Sequence, residues 1–270
     1  MTATHDGREP LVSTTAITTT PTPSRRRPAL DRATAMRLAA EEYVRYTSHL
    51  RDLTPEQWEA PTCCAGWDVR KMVCHTVGMA EFAASPVEQM RQMRAAKRQG
   101  GLFIDALAAL QVAKHAHQSP DELIATMAEV GPRAARGRRR TPAPLRRLVG
   151  IESHADAAGR ETESWSLGYL VDVILTRDTW MHRSDIAAAT GTAMRLTPDH
   201  DGRIVDDVVR EWAGRHGRPY RLTLTSPAGG EWGTGPASDA PVLELDAVEF
   251  CRLLTGRGVG EGLLATHVPF

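Results

Sequence analysis

Asp178 and His182 interrupt an apolar stripe. In Leu175-Thr176-Arg177-Asp178-Thr179-Trp180-Met181-His182-Arg183-Ser184-Asp185-Ile186, the positions Val171, Leu175 and Ile186 fall on one helical face, and Asp178 and His182 fall on that same face. An unpaired carboxylate on a buried face is costly, so the fold has to supply a cation. Spacing alone leaves two readings open. One is an ion pair that seals helix packing, with Arg70, Arg177 or Arg183 as partner. The other is a metal ion, because side chains at i and i+4 project together toward one point.

A second segment offers a third donor. In Cys64-Ala65-Gly66-Trp67-Asp68-Val69-Arg70-Lys71-Met72-Val73-Cys74-His75, a turn at Gly66 leads to Asp68, a good N-cap, and then to a helix. Positions 68, 72, 75 and 79 share a face, which sets His75 beside Met72 and Met79. A histidine there by itself is more often a hydrogen-bonded core residue. Added to Asp178 and His182, it completes a His/Asp/His set with room for a further ligand, the arrangement of a catalytic metal site. Zinc is the default for these donors, and manganese, iron or nickel are compatible with them.

These residues need a scaffold, and the 270-residue chain is long enough for one large domain or two. Its pattern is α+β. Residues 1–29 cluster Ser, Thr and Pro with little to bury and are expected to form a disordered tail. Helical periodicity begins at Asp31, an N-cap. Thr54-Pro55-Glu56-Gln57, Ser85-Pro86-Val87-Glu88 and Ser119-Pro120-Asp121-Glu122 each set a hydroxyl cap, a proline at the first helical position and Glu or Gln at the third. Gly131-Pro132 is expected to stop the helix begun at Ser119, and Gly191 a long one running from about Ser164; Thr197-Pro198 begins another. Beyond about residue 218 the period changes. Tyr220, Leu222 and Leu224 alternate with polar residues, Gly229-Gly230 marks a turn, residues 242–245 read as a strand and 247–254 as a helix. The expected division is therefore a helical domain over 30–192 and a smaller α/β domain over 193–270.

Composition limits the function classes. Lys plus Arg and Asp plus Glu are 33 each, so no net field draws the chain to a polyanion or a membrane surface. The seven arginines between Arg133 and Arg147 lack interleaved aromatics and read as a solvated loop rather than a nucleic-acid surface. No apolar run is long enough to span a bilayer, and Arg25 to Arg27 are followed by Asp31 and Arg32 where a signal peptide needs an apolar segment. Cys63, Cys64, Cys74 and Cys251 show no CxxC spacing and read as reduced thiols. The expected location is the cytoplasm.

The run PTCCAGWDVRKMVCHTVGMAE resembles the opening motif of the mycothiol-dependent maleylpyruvate isomerase family, within the DinB-like metalloenzyme superfamily. LTRDTWMHRSDIAAATG is similar to that family's second signature and DAVEFCRLLTGR to its closing one, in order over about residues 31–260. The resemblance implies an N-terminal DinB-like four-helix bundle and a smaller C-terminal α/β domain. It implies that His75, Asp178 and His182 are the metal ligands, Asp178 standing where the isomerase itself has Glu. It also implies that Arg257 is the arginine the C-terminal domain directs at the active site, where a guanidinium can fork onto a substrate carboxylate. Trp67 and Trp180 match family positions and read as packing residues.

The activity so implied uses a divalent metal to activate a low-molecular-weight thiol, mycothiol by resemblance, for addition to or displacement on an electrophilic small molecule. Isomerisation and S-transfer both fit. A hydrolase using metal-activated water and a non-catalytic small-molecule-binding module are the rival expectations. No nucleic-acid or membrane partner is expected, and the sequence leaves the oligomeric state open.

Overall fold

The computed structural model describes residues 25–148, 150–153, 163–236, 238 and 240–270. Helix α1 (Arg32–Arg51) begins where the Asp31 carboxylate accepts the Thr34 N–H, and α2 (Val69–Ala84) where that of Asp68 accepts the Lys71 N–H. Ser85 and Ser119 cap α3 (Pro86–Gln99) and α5 (Pro120–Arg140), and Ser119 with Glu122 closes a reciprocal capping box. Thr54 and Gln57 close another over a single 3-10 turn, Pro55–Glu59. Between α3 and α5 lies α4 (Phe103–His115).

Pro132 sits inside α5 instead of ending it. The ring forfeits one backbone hydrogen bond, but packing on both sides of it favours continuation. A Cβ at Gly131 would come within 2.9 Å of Tyr43 Cβ, and one at Gly137 would collide with the Ala83 and Ala84 carbonyls, so both glycines let α5 close on its neighbours. The arginines expected in a solvated loop therefore close α5 and populate α6 (Ala143–Leu148). Arg138 is buried, and Arg146 pairs with Asp172.

From α6 the chain enters β2 (Gly150–Ser153), antiparallel to β3 (Glu163–Ser166); β1 (Arg25–Arg26) pairs parallel on the other edge of β3. Arg25 and Arg26 were expected in the tail; residues 1–24, the rest of that segment, lie outside the described residues. The helix expected from Ser164 starts later, because Glu163–Ser166 is strand and the Ser166 hydroxyl caps α7 (Leu167–Tyr169). A wide π turn, Leu170–Ile174, leads into α8 (Leu175–Thr190), which Gly191 ends at φ +66°.

A second π turn, Pro198–Gly202, opens α9 (Arg203–His216). The remainder is a three-stranded sheet ordered β5-β4-β6, with β4 (Tyr220–Thr225) antiparallel to β5 (Gly230–Thr234) and parallel to β6 (Val242–Asp246), followed by α10 (Ala247–Leu254). Helices dominate and the sheets are small, as α+β requires. Among the described residues no helix is long and apolar enough to cross a membrane.

Two large cores form. Tyr46, Leu50, Met72, Val73, Leu123, Met127 and Ile186 fill one, where α1, α2 and α5 pack together and α8 lies against α1 and α2. Trp180 and Met181 of α8 join Val205, Val209, Trp212, Leu222 and Phe250 in the other.

Candidate metal centre

The Asp68 cap fixes where α2 begins, and two turns later His75 points at α8 with Trp67 at its side, ring centroids 5.3 Å apart. On α8, Asp178 and His182 lie one turn apart on the facing stripe. His182 Nε2 lies 3.4 Å and His75 Nε2 4.0 Å from Asp178 Oδ1, and the two imidazoles meet edge to face at 5.2 Å. One donor atom from each of the three residues falls within 4.8 Å of the others. The structure thus brings together the three residues named from the sequence.

None of the arginines offered as a purely structural partner reaches Asp178. Arg70 donates to the carbonyls of Ala116 and Gln118, Arg177 pairs with Asp207 and Glu211, and Arg183 pairs with Glu42 and Asp201. Among the described residues Asp178 pairs only with the two imidazoles, while its Oδ2 and the Nδ1 of His75 are buried without a partner. Burial works against the charged Asp178, yet His182 and His75 outweigh it and hold the carboxyl far below its usual range. Burial likewise works against a charged His182, but Asp178 and Asp185 push its pKa up to about 9. The cluster therefore favours a positive charge at its centre. Two imidazoles and a carboxylate, with an unpartnered buried atom on His75 and on Asp178, suit a divalent cation.

Asp185 was not singled out from the sequence, although it lies three residues beyond His182 inside the second signature run. Its Oδ2 accepts from His182 Nδ1 at 3.2 Å, which leaves Nε2 to face Asp178. Arg257 forks onto the same carboxylate through Nε and Nη2, both at 2.6 Å, and Arg252 Nη1 adds a third contact at 3.0 Å. Arg257 arrives there because α10 stops at a turn through Gly256, φ +79°, and its N–H bonds back to the Arg252 carbonyl. So Arg257 reaches the cluster through Asp185, two residues removed from Asp178. A carboxylate one helical turn from a candidate ligand, and an arginine five residues before another, were the available signals for Asp185 and Arg252. Cys63, Cys64 and Asp185 also bring donor atoms within 4.8 Å, but the two arginines already balance Asp185.

The family model described as the mycothiol maleylpyruvate isomerase N-terminal domain matches residues 39–187, more than half of the chain. The chain belongs to this family. The isomerase-family match contains His75, Asp178, His182 and Asp185; Arg252 and Arg257 lie beyond its end. Two solved structures are similar at low identity. One is the crystal structure of the mycothiol-dependent maleylpyruvate isomerase, 17% identical, covering 85% of this chain and 90% of that one with a TM-score of 0.49. The other, a mutant of that enzyme, is 18% identical over the same shares with a TM-score of 0.47. No curated protein matches the chain.

Proposed function

We propose that this member of the isomerase family is a metal-dependent, thiol-using enzyme, an isomerase or S-transferase that takes mycothiol or a similar low-molecular-weight thiol and an electrophilic small molecule. The observation that carries the proposal is the buried, unpartnered pair of atoms, Asp178 Oδ2 and His75 Nδ1, beside a His182 already fixed by Asp185. His75, Asp178 and His182 would hold the ion, zinc by donor type. A divalent cation there stabilises the anion of an entering thiol, which makes thiolate available at neutral pH.

The chain's own residues do the rest. Asp185 fixes the tautomer and the tilt of the His182 ring. Trp67 covers one side of His75 and limits water on that side. Arg257, with Nε and Nη2 on Asp185, and Arg252, with Nη1 on the same carboxylate, stand side by side one residue behind His182. Two guanidiniums so placed can take the carboxylate of an acidic electrophile and orient it toward the thiolate. In this proposal residues 30–192 form the metal-binding unit, with α1, α2, α5 and α8 as its DinB-like four-helix bundle, and residues 193–270 form the unit that delivers Arg257. The protein acts in the cytoplasm.

Calorimetric titration of the zinc-loaded protein with mycothiol, in two buffers of different ionisation enthalpy, tests this directly. The expected result is binding with release of about one proton per thiol, because the bound form is the anion. Absence of thiol binding, or binding without proton release, would overturn the thiol-activating role, and ester hydrolysis without added thiol would assign the site to water activation instead.

A further inference from the structure

The arginine-rich end of α5 takes no part in the triad. Arg133, Arg136, Gly137 and Arg140 stand at i, i+3, i+4 and i+7 and share one face of the helix. Gly137 seats that face against the end of α2, and beside the contact lies a groove of about 470 Å³. Phe82, Leu167, Val171 and Leu175 line its apolar floor, and the three arginines stand at its mouth. The volume falls within the ~300–1,000 Å³ range of small-molecule sites.

Arg138 lines the same groove and is only 1% exposed. Its Nε donates to the Val171 carbonyl at 2.6 Å and its Nη2 to Thr176 Oγ1 at 2.5 Å, both neutral acceptors. Among the described residues Nη1 makes no well-aligned hydrogen bond and no carboxylate pairs with this guanidinium. The hydroxyl of Tyr43, a buried phenol that burial keeps neutral, lies against this guanidinium as a further neutral acceptor, and the side chain that reaches the Arg138 carbonyl is another cation, Arg32. A guanidinium taken wholly out of water without a counter-ion is unfavourable, and an anion nearby relieves it.

We propose that this groove binds a small amphipathic organic anion, with a carboxylate or phosphate head on the exposed guanidiniums of Arg136 and Arg140, beside the buried Arg138, and an apolar body on the floor. The head brings a negative charge near the buried Arg138, and the apolar floor should favour an organic anion over an inorganic one. The groove shares no residue with the triad, so the inference stands apart from the thiol chemistry.

Decanoate titrated into the full-length protein is the test, with 1-decanol as the body without the head and inorganic phosphate as the head without the body. The expected result is one saturable decanoate site per chain, with both partial probes at least about tenfold weaker. The double variant Arg136→Glu/Arg140→Glu changes exposed residues only and should weaken decanoate about tenfold or more. His75→Ala should leave it within about twofold. Decanol binding as tightly as decanoate, unchanged affinity in the double variant, or lack of a saturable site would each overturn the proposal. So would loss of binding in His75→Ala, which would seat decanoate at the triad.

Discussion

Glu42, His200 and Asp201 lie as close together as His75, Asp178 and His182, each set with its donor atoms within 4.8 Å. The first set carries its own counter-charge. Arg183 forks onto Glu42 at 2.7 and 3.0 Å and reaches Asp201 at 2.8 Å, while Trp180 Nε1, the Thr197 N–H and Arg45 fill the remaining Asp201 positions. His200 Nε2 meets Glu42 at 2.6 Å. Among the described residues the second set has no guanidinium on Asp178 and leaves a carboxylate oxygen and an imidazole nitrogen buried without a partner, whereas the first leaves only an imidazole nitrogen, His200 Nδ1. Closely spaced histidines and carboxylates are therefore weak evidence for a metal. A cluster that lacks its cation is stronger evidence.

The contrast breaks most sharply on metal content. His182→Ala should lose about one zinc per chain in elemental analysis, whereas His200→Gln should keep it; equal loss from both would make the two clusters alike. Stability should respond the other way round. Arg183→Ala removes the guanidinium from buried Glu42 and leaves Asp201 only Arg45, and should cost about 3–5 kcal/mol in denaturant unfolding. Asp178→Asn in metal-free protein should cost less, since the charge it removes faces imidazoles and no guanidinium. Asp185→Asn should lower zinc affinity about 10–100-fold by loosening the His182 ring, measurable by competition with a chromogenic chelator.

Acid should act on one cluster through its proton. Burial opposes the charge on His182, but Asp178 and Asp185 raise its pKa to about 9. In metal-free protein the stabilisation from protonated His182 is complete below the ordinary value of 6.5 and fades as pH rises through about 9. Zinc needs the neutral ring, so its apparent affinity should rise about tenfold per pH unit up to that value. Titrations at pH 6.5 and 7.5 would check this, and a flat response would mean that His182 is not a ligand.

Local chemistry explains why much of this was legible in the sequence. The Asp31, Asp68, Ser85 and Ser119 caps are contacts within three residues, and the Tyr220-Leu222-Leu224 alternation is a property of one strand. His75, Asp178 and His182 stood out because each breaks an apolar stripe. Long-range compensation was not legible. Pro132 is tolerated because Gly131 and Gly137 meet helices far away in sequence, and Arg138 is buried because Val171 and Thr176 accept from it. Asp185 gains its role from Arg257, 72 residues away.

Helix α8 places Ile186 in one core and Trp180 and Met181 in the other, with Asp178 and His182 on the same rod. Melting either core strips packing from that rod, so heat should meet one cooperative unit and calorimetry a single heat-absorption peak. An ion gripping the rod at Asp178 and His182 would then raise the melting temperature of the sheet around Leu222 as much as that of the helices beside it. The C-terminal sheet, which contributes none of the three candidate ligands, thereby becomes a reporter of whether they are occupied.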